Sequence, residues 1–167
     1  KLTIQMFWNV LVETGMVTGA IAFLLIAAHL YANMLALSGL PDFISQQMEA
    51  HQLSFAVSLI IYLFIIILLG TILDSASIIL ILVPLMLPVV DALQINTVWF
   101  GIVTIIAVEI GLLTPPLGIA CFVIKTNLND DSVSLGDIFI GAAPFAVTML
   151  FVLIIIVIEP WFALALL

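Results

Sequence analysis

Long apolar stretches alternate along this chain with a few short polar clusters, and the spacing of those clusters lays out a set of helices. Residues 7–37 (FWNVLVETGMVTGAIAFLLIAAHLYANMLAL) outrun the ~20 residues that a helix needs to cross bilayer hydrocarbon. Glu13 and His29 interrupt the run toward its two ends, where interfacial, structural roles suit them. Gly39, Pro41 and Asp42 are expected to break this helix, and residues 43–52 (FISQQMEAHQ) read as a short amphipathic segment at the interface. Residues 53–90 are too long for one span and short for two spans with a loop. Their one polar cluster, Gly70-Thr71-Ile72-Leu73-Asp74-Ser75-Ala76-Ser77, stands at the middle. That pattern predicts a helical hairpin, full-depth or re-entrant, with Pro84 and Pro88 kinking its second arm.

Residues 91–96 (DALQIN) predict an interfacial turn, with Trp99 and Phe100 as an aromatic anchor just inside. The apolar run at 97–125 carries Gly111, Thr114, Pro115, Pro116 and Gly118 in its middle. Each proline removes an N–H and clashes with the preceding turn, so the expectation is a discontinuous span, 97–112 and 116–125, with an unwound joint. Residues 126–137 (TNLNDDSVSLGD) form a polar loop whose Ser134 and Asp137 are candidate caps for the last span, 138–158, ended by Glu159-Pro160-Trp161. The chain thus divides into a scaffold or arm helix with its interfacial segment (1–52), a hairpin (53–90), a discontinuous helix (91–126), and a loop with a final transmembrane helix (127–167).

Composition turns this into an all-α integral membrane protein. Hydrophobic residues make up 66% of the chain and charged residues 7%, and the mean hydropathy is +1.49. No soluble core could bury that much apolar surface, so the lipid bilayer is part of the solvent. Ten carboxylates face only Lys1 and Lys125, a net charge of −8. No basic patch exists to neutralise phosphates, so nucleic acid is not a partner. Membrane proteins normally carry Lys and Arg in cytoplasmic loops, and the scarcity here suggests a fragment whose basic loops lie upstream. With Lys1 in the cytoplasm, the hairpin returns to the side it left, Lys125 falls inside and the last helix exits.

The two interruptions, at Gly70–Ser77 and Gly111–Gly118, are where function is expected. Non-helical backbone in hydrocarbon leaves amides and carbonyls without partners at several kcal/mol each, unless protein or a ligand supplies them. Carbonyls at a helix C-terminus suit a cation, and amides at a helix N-terminus suit an anionic solute group. A lone membrane glycine usually serves packing and a lone proline a kink, but Thr-Pro-Pro destroys two helical hydrogen bonds at once. Asp74 serves either as a functional carboxylate at depth or as the N-cap of the second hairpin arm. Glu109 either binds a cation or proton or accepts hydrogen bonds from a neighbouring helix. Cys121 reads as a buried structural thiol, no His, Cys and carboxylate spacing fits a zinc site, and no Gly-rich nucleotide motif occurs. No enzymatic constellation is visible.

Leu69-Gly70-Thr71-Ile72-Leu73-Asp74, Pro84 and Pro88, Trp99-Phe100-Gly101, and Glu109-Ile110-Gly111-Leu112-Leu113-Thr114-Pro115-Pro116-Leu117-Gly118 closely resemble the large (M) subunit of TRAP transporters. Asp137-Ile138 with Ala143-Pro144-Phe145 fits as well. The resemblance implies the second inverted repeat of an elevator-type, Na⁺-coupled carrier in the bacterial inner membrane, with the first repeat of the same M subunit absent. It implies a small four-helix membrane subunit, separate or fused, and a periplasmic substrate-binding protein that delivers a carboxylate such as a C4-dicarboxylate or sialic acid. By position it implies a Na⁺ site at Gly70, Gly111, Thr114 and Leu117, mostly of backbone carbonyls, with the Thr114 hydroxyl in addition. Asp74 and Ser75 line the same turn as candidate solute contacts. The competing functions are a dicarboxylate or citrate Na⁺ symporter that works without a binding protein, and a structural membrane subunit with no solute path.

Overall fold

The computed structural model describes residues 3–50, 54–128, 130 and 132–165; Lys1, on which the orientation rests, and His51 lie outside them. The described residues form eight helices: α1 (Ile4–Leu37), α2 (Leu40–Ala50), α3 (Phe55–Gly70), α4 (Ser75–Ala92), α5 (Thr97–Leu112), α6 (Ile119–Leu128), α7 (Leu135–Ile158) and α8 (Trp161–Leu164). α1 and α7, at 34 and 24 residues, are long and apolar enough to cross a membrane alone. α3 and α5 have 16 residues each, a length of roughly 24 Å against a hydrocarbon core of about 30 Å. Upright in a bilayer, helices that short would fall a few ångströms short of full depth.

The expected loop at 126–137 is shorter, since α6 runs on to Leu128 and the Ser134 cap starts α7 at Leu135, and three further features differ. Pro41 and Asp42 do not break the chain: the turn lies at Ser38–Gly39, with Gly39 at φ +71°, and helix resumes at Leu40. A proline in the first turn of a helix loses an amide that has no intrahelical partner anyway, and Asp42 complements the positive end of α2. The second half of the broken span starts at Ile119 rather than at residue 116, because the chain needs Leu117 and Gly118 to turn after two residues that cannot donate. Trp99 and Phe100 are core residues rather than an interfacial anchor, 5% and 1% exposed. The Trp99 indole N–H donates to the Ile156 carbonyl at 2.8 Å. In a continuous helix that carbonyl would accept the amide of residue 160, a proline, so the indole fills a vacancy left by sequence.

α5 is the axis of the packing, with α3, α4, α7 and α8 around it. On α3 the buried positions are Leu59, Tyr62, Ile66 and Gly70, a stripe at three- and four-residue spacing. They meet Phe100, Val103, Thr104, Ala107, Val108 and Gly111 of α5. Tyr62 stacks on Phe100 with ring centroids 5.2 Å apart. Its hydroxyl lies 3.2 Å from the Thr104 hydroxyl, which donates to the Phe100 carbonyl at 2.8 Å. α4 runs unbroken through Pro84 and Pro88. α1 packs on α4 and α2 and buries only Leu35 fully.

Candidate functional site

The two interruptions come together at Gly70, the last residue of α3, and Gly111, the last but one of α5. A Cβ added to Gly70 would lie 2.8 Å from the Gly111 Cα and 3.1 Å from the Val108 carbonyl oxygen. At Gly111 it would lie 2.7 Å from both the Gly70 Cα and the Ile67 carbonyl oxygen. The backbones are in contact, and each glycine faces the carbonyl three residues before the other. Only a residue without a side chain permits this approach.

Each helix end turns its last amides inward. The Thr71 amide goes back to the Leu68 carbonyl, and the buried Thr71 hydroxyl also donates to Leu68, at 2.8 Å. At α5 the Thr114 amide bonds the Gly111 carbonyl at 2.9 Å, and the Thr114 hydroxyl donates to the Ile110 carbonyl at 2.6 Å. The hydroxyl proton is therefore committed while its lone pairs stay available to a cation. The Leu112 carbonyl would in a regular helix accept from residue 116, which is proline. The end of α5 is thus a cluster of backbone oxygens at the negative end of a helix dipole.

The joint then runs through Leu113–Gly118, with a cis peptide between Pro115 and Pro116. Pro115, Pro116 and Leu117 are exposed, whereas Gly118 and Cys121 are buried. Leu117 is 49% exposed. Among the described residues no three His, Cys, Asp or Glu side chains come together; the oxygens at the α5 break are backbone carbonyls and the Thr114 hydroxyl, of the kind that hard cations accept.

Asp74 stands exposed at the hairpin turn as the N-cap of α4. One carboxylate oxygen accepts the Ser77 amide at 3.0 Å and the other the Ser77 hydroxyl at 2.6 Å. Of the two roles open to it, the geometry realises the cap; Ser75 is the first helical residue beyond it. Glu109 is exposed on α5, while Val108 and Ile110 beside it are buried. Ser134 and Asp137 act jointly in a capping box, with Ser134 as the N-cap of α7.

Three participants escape a linear reading. The Tyr62–Thr104 pair links α3 to α5 two turns before the glycine contact, and Thr71 closes the end of α3 onto its own Leu68 carbonyl. Helical spacing was the available signal: Tyr62 and Gly70, like Thr104 and Gly111, stand two turns apart on one stripe. The third is Phe139, whose ring meets Gly118; no local pattern announces it. Two cavities among the described residues lie away from the breaks. One of about 230 Å³ sits between α1 and α4 beside Ser77, and an apolar one of about 390 Å³ lies between α3 and α7.

Residues 1–162 match the family model described as the tripartite ATP-independent periplasmic transporter, DctM component. The chain is similar to the sialic acid TRAP transporter large permease protein SiaM of Vibrio cholerae, with 30% identity over 99% of this chain and 38% of that protein. It is 31% identical to the C4-dicarboxylate TRAP transporter large permease protein DctM of Pseudomonas aeruginosa, over 95% of this chain and 36% of that protein. It is 28% identical to the 2,3-diketo-L-gulonate TRAP transporter large permease protein YiaN of Escherichia coli, over 96% and 37% respectively. The chain therefore spans well under half the length of the relatives it matches. With a match across almost its whole length, including both helix breaks, the chain belongs to the DctM component family of tripartite ATP-independent periplasmic transporters.

Proposed function

We propose that this chain is one inverted repeat, the second, of the membrane permease of a Na⁺-coupled carrier for an organic acid. The observation that carries the proposal is the backbone contact between Gly70 and Gly111, which brings the C-terminal ends of two interrupted helices side by side, three residues before Thr114. The carbonyls of Gly70, Gly111, Thr114 and Leu117 and the Thr114 hydroxyl are the ligands of the coupling ion. Partial negative charge at the α5 terminus attracts the cation and gives it a dehydrated seat. Ser75 and the first amides of α4 face the solute, a carboxylate such as a C4-dicarboxylate or sialic acid. Asp74 serves them by holding the turn in shape.

The repeat moves as an elevator against a scaffold that includes α1, in the bacterial inner membrane. It works with the first repeat of the same permease, a small four-helix membrane subunit and a periplasmic substrate-binding protein, and no covalent chemistry is involved. Uptake by proteoliposomes holding the complete membrane complex, with binding protein outside, tests the proposal with and without an inward Na⁺ gradient. Uptake is expected to require Na⁺ and to collapse in Gly70→Val at normal expression. Uptake indifferent to Na⁺, or unchanged in Gly70→Val, removes the ion from the paired breaks.

A further inference from the structure

We infer that Phe139, at the start of α7, is a positioning residue for the coupling ion, acting through Gly118 on the unwound joint. Gly118 closes the joint at φ +46°, in the left-handed region that glycine tolerates best. An added Cβ there would lie 2.6 Å from Phe139 Cε1 and 3.0 Å from Cζ, and 3.1 Å from the Thr114 carbonyl oxygen. The ring edge thus fills the volume that a side chain at position 118 would claim. The same point in space touches a carbonyl assigned to the ion.

The two sides of the joint differ accordingly. Pro115, Pro116 and Leu117 are exposed, whereas Gly118 is buried and Phe139 half-buried. An aromatic ring at that end keeps water from the backbone that must offer its oxygens to a cation. A drier surrounding strengthens each ion–dipole contact. The ring has only two side-chain torsions and is held by a helix start that is itself fixed. Ser134 accepts the Asp137 amide at 3.1 Å, and Asp137 accepts the Ser134 amide at 2.9 Å. α7, which supplies none of the proposed ligands, thereby sets the shape of the joint.

The inference rests on Na⁺ binding at the breaks, so the experiment separates the two. The complete permease complex is assayed in proteoliposomes, with Na⁺ titrated at saturating solute and solute titrated at saturating Na⁺. Na⁺-induced protection of the melting temperature is followed in parallel. In Phe139→Ala the half-saturating Na⁺ concentration is expected to rise about five-fold or more, with solute half-saturation moving less than about two-fold. Na⁺ protection is expected to weaken in step. Phe139→Leu, which keeps the apolar bulk, stays within about two-fold of the parent in Na⁺ dependence. Should Phe139→Ala fail to accumulate, Phe139→Val carries the same comparison.

A Na⁺ dependence unchanged in Phe139→Ala overturns the inference while leaving the ion site standing. So does a parallel rise in both half-saturation values with a lowered melting temperature, which is the mark of a packing residue alone. Parent complex that transports without Na⁺ defeats the earlier proposal, and the inference with it, before any variant is compared.

Discussion

At residues 71–74 the chain leaves α3 and enters α4 with Asp74 accepting the Ser77 amide at 3.0 Å. At residues 113–118 it leaves α5 and enters α6 through two prolines and Gly118, which has no side chain to cap with. Both exits are alike, with a threonine hydroxyl turned back onto the preceding helix, from Thr71 to Leu68 and from Thr114 to Ile110. The entries differ. The hairpin turn supplies its own cap, Asp74 taking the Ser77 amide and hydroxyl, and leaves the amides before Ser77 for the proposed solute. The proline joint cannot satisfy itself, since two amides are missing by constitution and the helix that follows begins uncapped. On the proposed reading, ion chemistry concentrates on the second break, and the first contributes Gly70, which allows the approach and offers one carbonyl.

The sharpest challenge to this division compares two glycines on one helix. Gly111→Ala places a methyl 2.7 Å from the Gly70 Cα, where no flexible side chain can yield, and should cost about 1–3 kcal/mol or more. Loss of most uptake and a clear fall in melting temperature are expected. Gly101 has nothing within 4 Å of an added Cβ, so Gly101→Ala should leave uptake intact and gain up to about 1 kcal/mol. Equal behaviour of the pair in uptake and melting experiments would show that the contact between the breaks is not what matters.

Thr114→Ala comes next in size. The variant loses a hydroxyl whose bond to Ile110 shapes the α5 terminus, and the half-saturating Na⁺ concentration should rise about ten-fold, as befits 1–2 kcal/mol. Thr114→Ser should restore it. A Na⁺ titration in which Ala and Ser behave alike would remove the hydroxyl from the ion site.

At the self-capped break the expectation is smaller and of another kind. Asp74→Ala removes the α4 cap and should lower stability by about 1 kcal/mol, with Na⁺ half-saturation unchanged and Asp74→Asn nearly neutral. A large Na⁺ shift in Asp74→Ala would reverse the ranking of the two breaks. The smallest effect is expected at the far end of the α3–α5 seam. Tyr62→Phe deletes one hydrogen bond and leaves the Thr104 hydroxyl still donating to Phe100, for about 0.5–1 kcal/mol. Chemical or thermal denaturation of the complex would register it, while transport at moderate temperature stays the same.

The class of the protein and the positions of both breaks were legible in the residues, because composition and proline act locally. Two-thirds apolar residues demand lipid wherever they fold, and Pro115-Pro116 interrupts a helix in any context. The Ser134 cap of α7 was legible for the same reason, its partners lying within one turn. Pro41 misled because a proline ends one helix or begins another, and its neighbours alone do not decide which. Trp99 misled because an indole near a turn suits an interface equally well until the vacancy at Ile156 claims it. What only the tertiary structure decided was which surfaces meet. Gly70 faces Gly111, Tyr62 reaches Thr104 and Phe139 closes on Gly118. Those pairs lie far apart along the chain, and an almost uniformly apolar helix carries little periodic signal for orientation. In lipid, where every face is equally apolar, small residues and isolated hydroxyls choose the contact, and they do so only once the helices are packed.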